Sequence, residues 1–409
     1  MTFERLLGSK LEDLSKSSKS ILLLGPRQTG KSTLIEGILN KSAKESLIYR
    51  LQNLEVFQRV IKSPEQIAKN VEAKLEKKKA INLYIDEVQK CPILLDDCQY
   101  LIDKYKTRIS VILTGSSARK LRQRGVNLLP GRVFVQYLHS LTFPEIMPID
   151  EQNIVPIKTK ITKYPKDKPS LEDLLIYGSL PGILNEKKYK GDLLNSYVST
   201  YLQEEIKAEA LTRNLGAFSR FLELSASESG LTPNLSRLSQ ESGIPLMTIK
   251  NYFQLLEDTL ITFSIPAFTK SSRKQILSAS KYVYFDLGVR NAASEIPLNS
   301  KILKTEIGGK LFEQFICLEL IKRIEYQYPH WKYFYWRTNN GLEVDFIIQT
   351  EDEIIPIEIK FTDTPQKNHI KHLEIFMEEY KAKRGFLVGT FPRAQKLSER
   401  IYAIPWNEI

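Results

Sequence analysis

Three groups of residues in this chain have the types and spacing to do chemistry. The first is the stretch Gly25-Pro26-Arg27-Gln28-Thr29-Gly30-Lys31-Ser32-Thr33. Its glycines let backbone N–H groups curl around an anion, Lys31 adds a positive charge, and hydroxyls follow at Ser32 and Thr33. The second is Asp86-Glu87, at the end of the apolar run INLYID. One carboxylate there suits a magnesium shell and its neighbour suits polarising a water, while hydroxyls at Thr114, Ser116 and Ser117, after ISVIL, suit sensing a terminal phosphate. The third is Asp345 in GLEVDF with Glu358 and Lys360 in PIEIKF. Glu358 and Lys360 stand two apart on a strand and so share a face. With Asp345, and with Glu313 in the preceding KLFEQFI, they have the chemistry to hold magnesium and align water against a phosphodiester.

Such groups need rigid supports. Apolar runs at 21–25, 46–51, 81–86, 109–114 and 132–138 alternate with helix-length amphipathic stretches, which predicts a parallel sheet with helices on both faces. The run 151–170 is polar, basic and proline-containing and reads as a loop or insertion. Residues 171–227 read as helical, broken by the turn YGSLPG at 177–182. LSRLSQESG and LMTIKNYFQLLED flank a tight GIP turn as a helix-turn-helix, and two strand-like runs around a basic tip follow, as in a winged helix. Lys250, Lys270, Arg273, Lys274 and Lys281 are its candidate phosphate contacts. The expected division is an ATPase-type core at 1–150, a helical lid and linker at 151–217, a winged helix at 218–285 and a further α/β unit at 286–409. In that last unit the aromatic run YQYPHWKYFYWR offers stacking platforms for bases, but its alternation favours core. His369 and His372 read as exposed helix residues rather than ligands.

Composition narrows the partners. With 409 residues the chain is long enough for two or three domains. Its net charge of +11 makes polyanions, nucleic acid first among them, natural partners. No apolar run approaches the roughly 18 residues that cross a bilayer, and the charged, amphipathic start is unlike a signal peptide. The expectation is a cytoplasmic protein with no membrane partner. Cys91, Cys98 and Cys317 lack metal-ligand spacing and read as free thiols.

The order GPRQTGKST, YIDEVQK, LTGSSARKL, LPGR and LTFPE resembles a prokaryotic branch of the AAA+ ATPase superfamily, and YGSLPGIL matches a glycine-proline turn that follows the ATPase core in that branch. The resemblance implies ATP and Mg2+ as cofactors. Gly25, Gly30, Lys31, Ser32 and Thr33 would cradle the phosphates, Ser32 and Asp86 would hold the magnesium, Thr114 and Ser116 would sense the γ-phosphate, and Glu87 would be catalytic. Arg132, in LPGR, matches the arginine that commonly reaches a neighbouring subunit's γ-phosphate, which implies a homo-oligomer, typically a hexamer. The lid offers no assignable second sensor arginine. The C-terminal order of a G-x-LFE-like helix, a W-R strand, E-V-D and E-x-K resembles the PD-(D/E)xK nuclease pattern. It implies a restriction-endonuclease-like fold with Glu313, Asp345 and Glu358 as metal ligands and Lys360 beside them. The resulting expectation is an ATP-hydrolysing DNA motor or remodeller acting on duplex or branched DNA, Holliday junctions included, with magnesium-dependent cleavage. The rival is a nucleotide-dependent signalling or defence switch whose C-terminal domain binds proteins.

Overall fold

Long, uninterrupted apolar runs such as SILLL and INLYID have no polar face to give to water, so they belong in the middle of a sheet covered on both sides. In the computed structural model, which describes residues 3–116, 129–147, 168–202, 215–269 and 279–409, all five such runs form one sheet. The chain divides into two compact units, Met1–Ser140 with Asp258–Ile261, and Leu141–Glu257 with Thr262–Ile409.

The first unit holds strands β1 (Ser20–Leu24), β2 (Glu45–Arg50), β3 (Ile81–Asp86), β4 (Ile109–Gly115) and β5 (Val133–Tyr137), all parallel, in the order β2-β3-β4-β1-β5. Every residue of the three central strands is buried, whereas β2 and β5, at the edges, are only partly so. Helices α1 (Gly8–Lys16), α2 (Lys31–Lys41), α3 (Leu54–Lys62), α4 (Gln66–Lys77) and α5 (Leu94–Tyr105) connect or flank them. Val60, Ile67, Val71, Leu75, Leu94, Leu95 and Leu101 on these helices pack with Leu83, Ile85, Val111 and Leu113 of the strands in a single core. Cys91 and Cys98 join it, and all three cysteines are buried free thiols.

The second unit is built around a mixed sheet. Its strands are β8 (Lys332–Arg337), β9 (Glu343–Gln349), β10 (Ile354–Ile359), β11 (Gly385–Gly389), β12 (Gln395–Lys396) and β13 (Ile401–Pro405), ordered β12-β13-β11-β10-β9-β8. The pairs β8/β9 and β9/β10 are antiparallel, while β10/β11 and β11/β13 are parallel. Within the aromatic run Phe334, Tyr335 and Trp336 are buried, Phe334 and Trp336 in one core with Phe376 of the helix Lys371–Tyr380, whereas Tyr328, Trp331 and Tyr333 are half-buried. Upstream, helices Leu235–Ser242 and Leu246–Asp258 meet at Gly243, whose φ of +68° is the left-handed conformation that glycine adopts without strain. They lead into an antiparallel ribbon of β6 (Thr262–Ile265) and β7 (Lys281–Tyr284). His369 and His372 are half-buried rather than exposed: His369 Nδ1 accepts from Gln366 N at 3.3 Å, and His372 Nδ1 lies 3.1 Å from Glu343 O.

The YGSLPG turn has a packing reason as well as a turn reason. Gly178 has φ +71°, and a Cβ there would lie 2.1 Å from Asp286 Oδ1. The buried Asp286 accepts from Ser179 N at 2.8 Å and from Val289 N at 3.2 Å, which caps the helix Leu287–Ala293. Among the described residues no helix is long and apolar enough to cross a membrane.

Candidate functional site

The register of the first sheet brings the predicted nucleotide residues to one end. Leu24 pairs with Gly115 and Ile85 with Leu113, so the phosphate loop, Asp86 and Thr114 emerge side by side at the carboxyl ends of β1, β3 and β4. Gly30, with φ +93°, starts α2 with no side-chain cap, which leaves first-turn N–H groups to meet an anion. Lys31 is buried, and its Nζ donates to the carbonyls of Gly25 and Pro26 at 2.8 Å each. Ser32 Oγ donates to both Asp86 oxygens, at 3.1 and 3.0 Å, and Thr114 Oγ1 donates to Asp86 Oδ1. Thr33 stands exposed one residue further on.

Glu87 follows with φ +59°, a conformation rare outside glycine. Its backbone N–H donates to Thr114 Oγ1 at 3.4 Å. Two residues that the motif analysis missed complete the site. Gln89 Nε2 donates to Glu87 Oε2 and, at 3.0 Å, to Ser116 Oγ. Arg5, also buried, donates to Thr29 O at 2.6 Å and to His139 O at 2.7 Å, tying the phosphate loop to the end of β5. Gln89 was within reach of the sequence, two residues after Glu87 on the strand-end turn; no local signal marks Arg5.

These residues fit a nucleoside triphosphate with magnesium. Backbone N–H groups and Lys31 would hold the phosphates, and Ser32 with Asp86 would hold the metal, which supplies charge neutralisation between phosphate oxygens. Glu87 would then be placed to orient and polarise water. Arg132 lies at the other end of the sheet: Val133 pairs with Ser20, the first residue of β1, about 16 Å from the loop at the usual rise per residue. Its guanidinium pairs with Asp103 at 2.8 and 3.0 Å, so within its own chain it takes no part in the nucleotide site. Ser117, Arg119, Arg122, Arg124, Lys270, Arg273 and Lys274 lie outside the described residues.

The second unit does gather the predicted acids, but with lysines between them. Lys360 Nζ lies 2.7 Å from Glu358 Oε1 and 3.6 Å from Asp345 Oδ2, and Asp345 also accepts from Ile359 N at 2.8 Å. Glu313, on the helix Glu306–Gln327, pairs with Lys281 at 3.2 Å, and Lys281 also reaches Glu343 at 2.5 Å and lies over the Tyr335 ring. Arg337, largely exposed, is 3.8 Å from Glu343. This corrects two expectations. Lys281 is buried and ion-paired, so it does not present a phosphate contact to solvent. Glu313, Asp345 and Glu358 do not converge on one point, and among the described residues no three His, Cys, Asp or Glu side chains are arranged to hold a metal ion. In the structure the carboxylates are paired with ammonium groups, Lys360 on Asp345 and Glu358 and Lys281 on Glu313 and Glu343. Lys250, by contrast, is exposed on its helix.

The electrostatics of the cluster follow from burial. Burial, then the Asp345 charge, raise Glu313 to about 7 against the opposing pull of Lys281. Burial and Asp345 likewise raise Glu358 to about 8 despite Lys360, and Glu358 Oε2 is buried without a partner. Burial alone would lower both lysines, but the surrounding carboxylates outweigh it and raise them.

Comparison with known proteins agrees with the first site. Residues 17–147 match a family described as an AAA domain, residues 168–300 a domain of unknown function (DUF8612), and residues 308–409 another (DUF4143). Uncharacterized proteins of Mycobacterium bovis (Mb2031c) and Mycobacterium tuberculosis (Rv2008c) are each 21% identical to this chain over 392 residues, which is 95% of this chain and 80% of theirs. Among solved structures, the Walker-type ATPase PABY2304 of Pyrococcus abyssi aligns with a TM-score of 0.47 at 15% identity, covering 71% of this chain and 96% of its own. The stretch that matches the AAA domain, residues 17–147, is the one that carries the phosphate loop, Asp86 and Glu87.

Two outcomes are expected. Lys31→Ala should lose ATP binding, because Lys31 is the cation of the loop, whereas Glu87→Gln should bind ATP and turn it over about 10² to 10⁴ times more slowly, the usual contribution of a positioned base. Nucleotide affinity and phosphate release on both variants check this, and full turnover in Glu87→Gln would remove Glu87 from the mechanism. The second outcome concerns pH. Raised carboxylates keep protons in the folded state that the unfolded chain has released, so their contribution is full below pH 4.5 and is lost as pH rises through about 7 and 8. All three tryptophans, Trp331, Trp336 and Trp406, lie in the second unit. The urea midpoint of their fluorescence should fall between pH 5 and pH 9, and Glu358→Gln should flatten that fall; equal slopes would assign the pH dependence to other groups.

Proposed function

We propose that this chain is an oligomeric ATPase that works on DNA, duplex or branched, using nucleotide turnover to move or remodel it. The observation that carries the reading is the convergence of Lys31, Asp86, Glu87, Thr114 and Ser116 at one end of a parallel sheet, which is the equipment for hydrolysis rather than for nucleotide storage alone. The choice of DNA is supported by the net charge of +11 and by the pair of helices followed by an antiparallel ribbon, the order of a winged helix, with Lys250 exposed on the second helix. The second unit's acid cluster is proposed to hold rather than cut, since lysines neutralise it. Arg132, remote from its own chain's loop, is proposed to act on a neighbouring subunit's nucleotide after leaving Asp103, in a ring of the hexameric kind.

The test is an ATPase assay with linear, forked and four-way DNA across a salt series. Stimulation of several-fold is expected, with DNA affinity falling steeply as salt rises because counterion release drives the contact. No stimulation and no binding at low salt, with nucleotide tightly retained, would favour a signalling or defence switch instead. Shared sites make a separate demand. Arg132→Ala should bind ATP yet turn over about 10³ to 10⁵ times more slowly, and mixing it with Glu87→Gln subunits should restore activity. Failure of that rescue would leave Arg132 as the surface partner of Asp103.

A further inference from the structure

Gln89 is the buried side chain at the nucleotide site that the reading above leaves without a task. It sits on the short turn Val88–Lys90 after β3 and is 7% exposed. Its Nε2 donates both to Glu87 Oε2 and to Ser116 Oγ. The direction of the amide follows from its partners. An ionised carboxylate only accepts, so the NH2 end must face Glu87, and its two hydrogens are then divided between Glu87 and Ser116. Ser116 Oγ therefore accepts from Gln89, which leaves the hydroxyl's own hydrogen to be donated elsewhere.

The far end of the carboxamide explains a neighbouring residue. Gln89 Oε1 has no hydrogen-bond partner and lies against position 115, where a Cβ would come within 2.8 Å of it. Gly115, with no Cβ, thus leaves the space that the carboxamide occupies. The carboxylate of Glu87, whose backbone is left-handed, accepts from the other end of the same carboxamide. Two residues that would act on different parts of a nucleoside triphosphate, Ser116 on the terminal phosphate and Glu87 on the attacking water, share one amide.

Resting on the ATPase reading of this site, we infer that Gln89 is a positioning residue that couples terminal-phosphate sensing at Ser116 to the orientation of Glu87. A phosphate oxygen that accepts the Ser116 hydrogen fixes Ser116 Oγ. Through the single carboxamide it also fixes the carboxylate that must face water. With a diphosphate bound, the Ser116 end of this relay has no such anchor.

The experiment uses the full chain with ATP, ADP and magnesium. Gln89→Leu keeps the size of the side chain and cannot donate. It should bind ATP and ADP as the wild type does, with kcat lowered about 10- to 100-fold, the equivalent of one hydrogen bond to a charged group. Ser116→Ala should also lower kcat, and the double variant should be no slower than the slower single one, since both remove the same coupling. Gly115→Ala provides a second route, because it leaves Gln89, Glu87 and Ser116 in place and crowds the carboxamide; kcat should fall with affinity kept. Full kcat in Gln89→Leu, or losses that multiply in the double variant, overturns the coupling. If Gln89→Leu fails to fold, Gly115→Ala with unchanged kcat overturns it instead. A wild-type chain that binds no ATP overturns the ATPase reading itself, an outcome distinct from a wild type that turns over ATP beside an equally active Gln89→Leu.

Discussion

The nucleotide site depends on how closely the carboxyl end of β1 is gripped by the strands on either side. Gly25 N–H donates to Gly115 O at 3.2 Å, and Leu138 N–H donates to Leu24 O at 2.7 Å. Between them there is no space for a side chain: a Cβ on Gly25 would lie 2.2 Å from Leu138 O. The first glycine of the phosphate loop therefore serves sheet closure as much as anion wrapping. From the far side Arg5 bonds both Thr29 O and His139 O, so the N-terminal segment, the loop and the end of β5 are locked together. A loop held this firmly meets a ligand with its N–H groups already aimed, and little reorganisation is left to the moment of reaction.

That grip also sets what β3 and β4 deliver. Because the strands are parallel and in register, adjacent carboxyl ends present their last residues at one level, which puts the Ser32 hydroxyl and the Thr114 hydroxyl on the same Asp86 carboxylate. Asp86 is thereby fixed before any metal arrives. Glu87, one residue on, is bonded instead to Gln89 through its side chain and to Thr114 through its backbone. Adjacent acids in one sequence acquire separate partners because the chain turns left-handed between them, and separate partners permit separate tasks.

The ATPase sheet was legible in the sequence for a physical reason. Central parallel strands are buried on both faces, so Ile21–Leu24 and Ile81–Ile85 appear as unbroken apolar runs, and a glycine-rich loop ending in Lys-Ser has few other uses. Arg5 was not legible, since its partners lie 24 and 134 residues away and nothing local to it signals them. Lys281 was misread as a tip contact although the strand carried a warning. In KYVY the two-residue period puts Lys281 on the same face as the buried Val283, and that face is turned inward. A lysine on an inward face needs a carboxylate, and the sequence offers no means of saying which.

The acid cluster shows what spacing leaves open. E-V-D and E-x-K place carboxylates on one face of neighbouring strands, but they do not say what neutralises them, and a buried carboxylate must have a proton, a metal or a cation beside it. Here Lys360 stands between Asp345 and Glu358, and Lys281 between Glu313 and Glu343. Two lysines, Lys281 buried and Lys360 half-buried, pair with these four acids. Burial and the Asp345 charge push Glu313 and Glu358 upward, toward their neutral forms. A divalent cation entering the cluster would have to displace a lysine from a carboxylate, at the expense of its own binding. Here these residues form a linked set of ion pairs that joins the ribbon carrying Lys281 to the helix and strands that carry the acids.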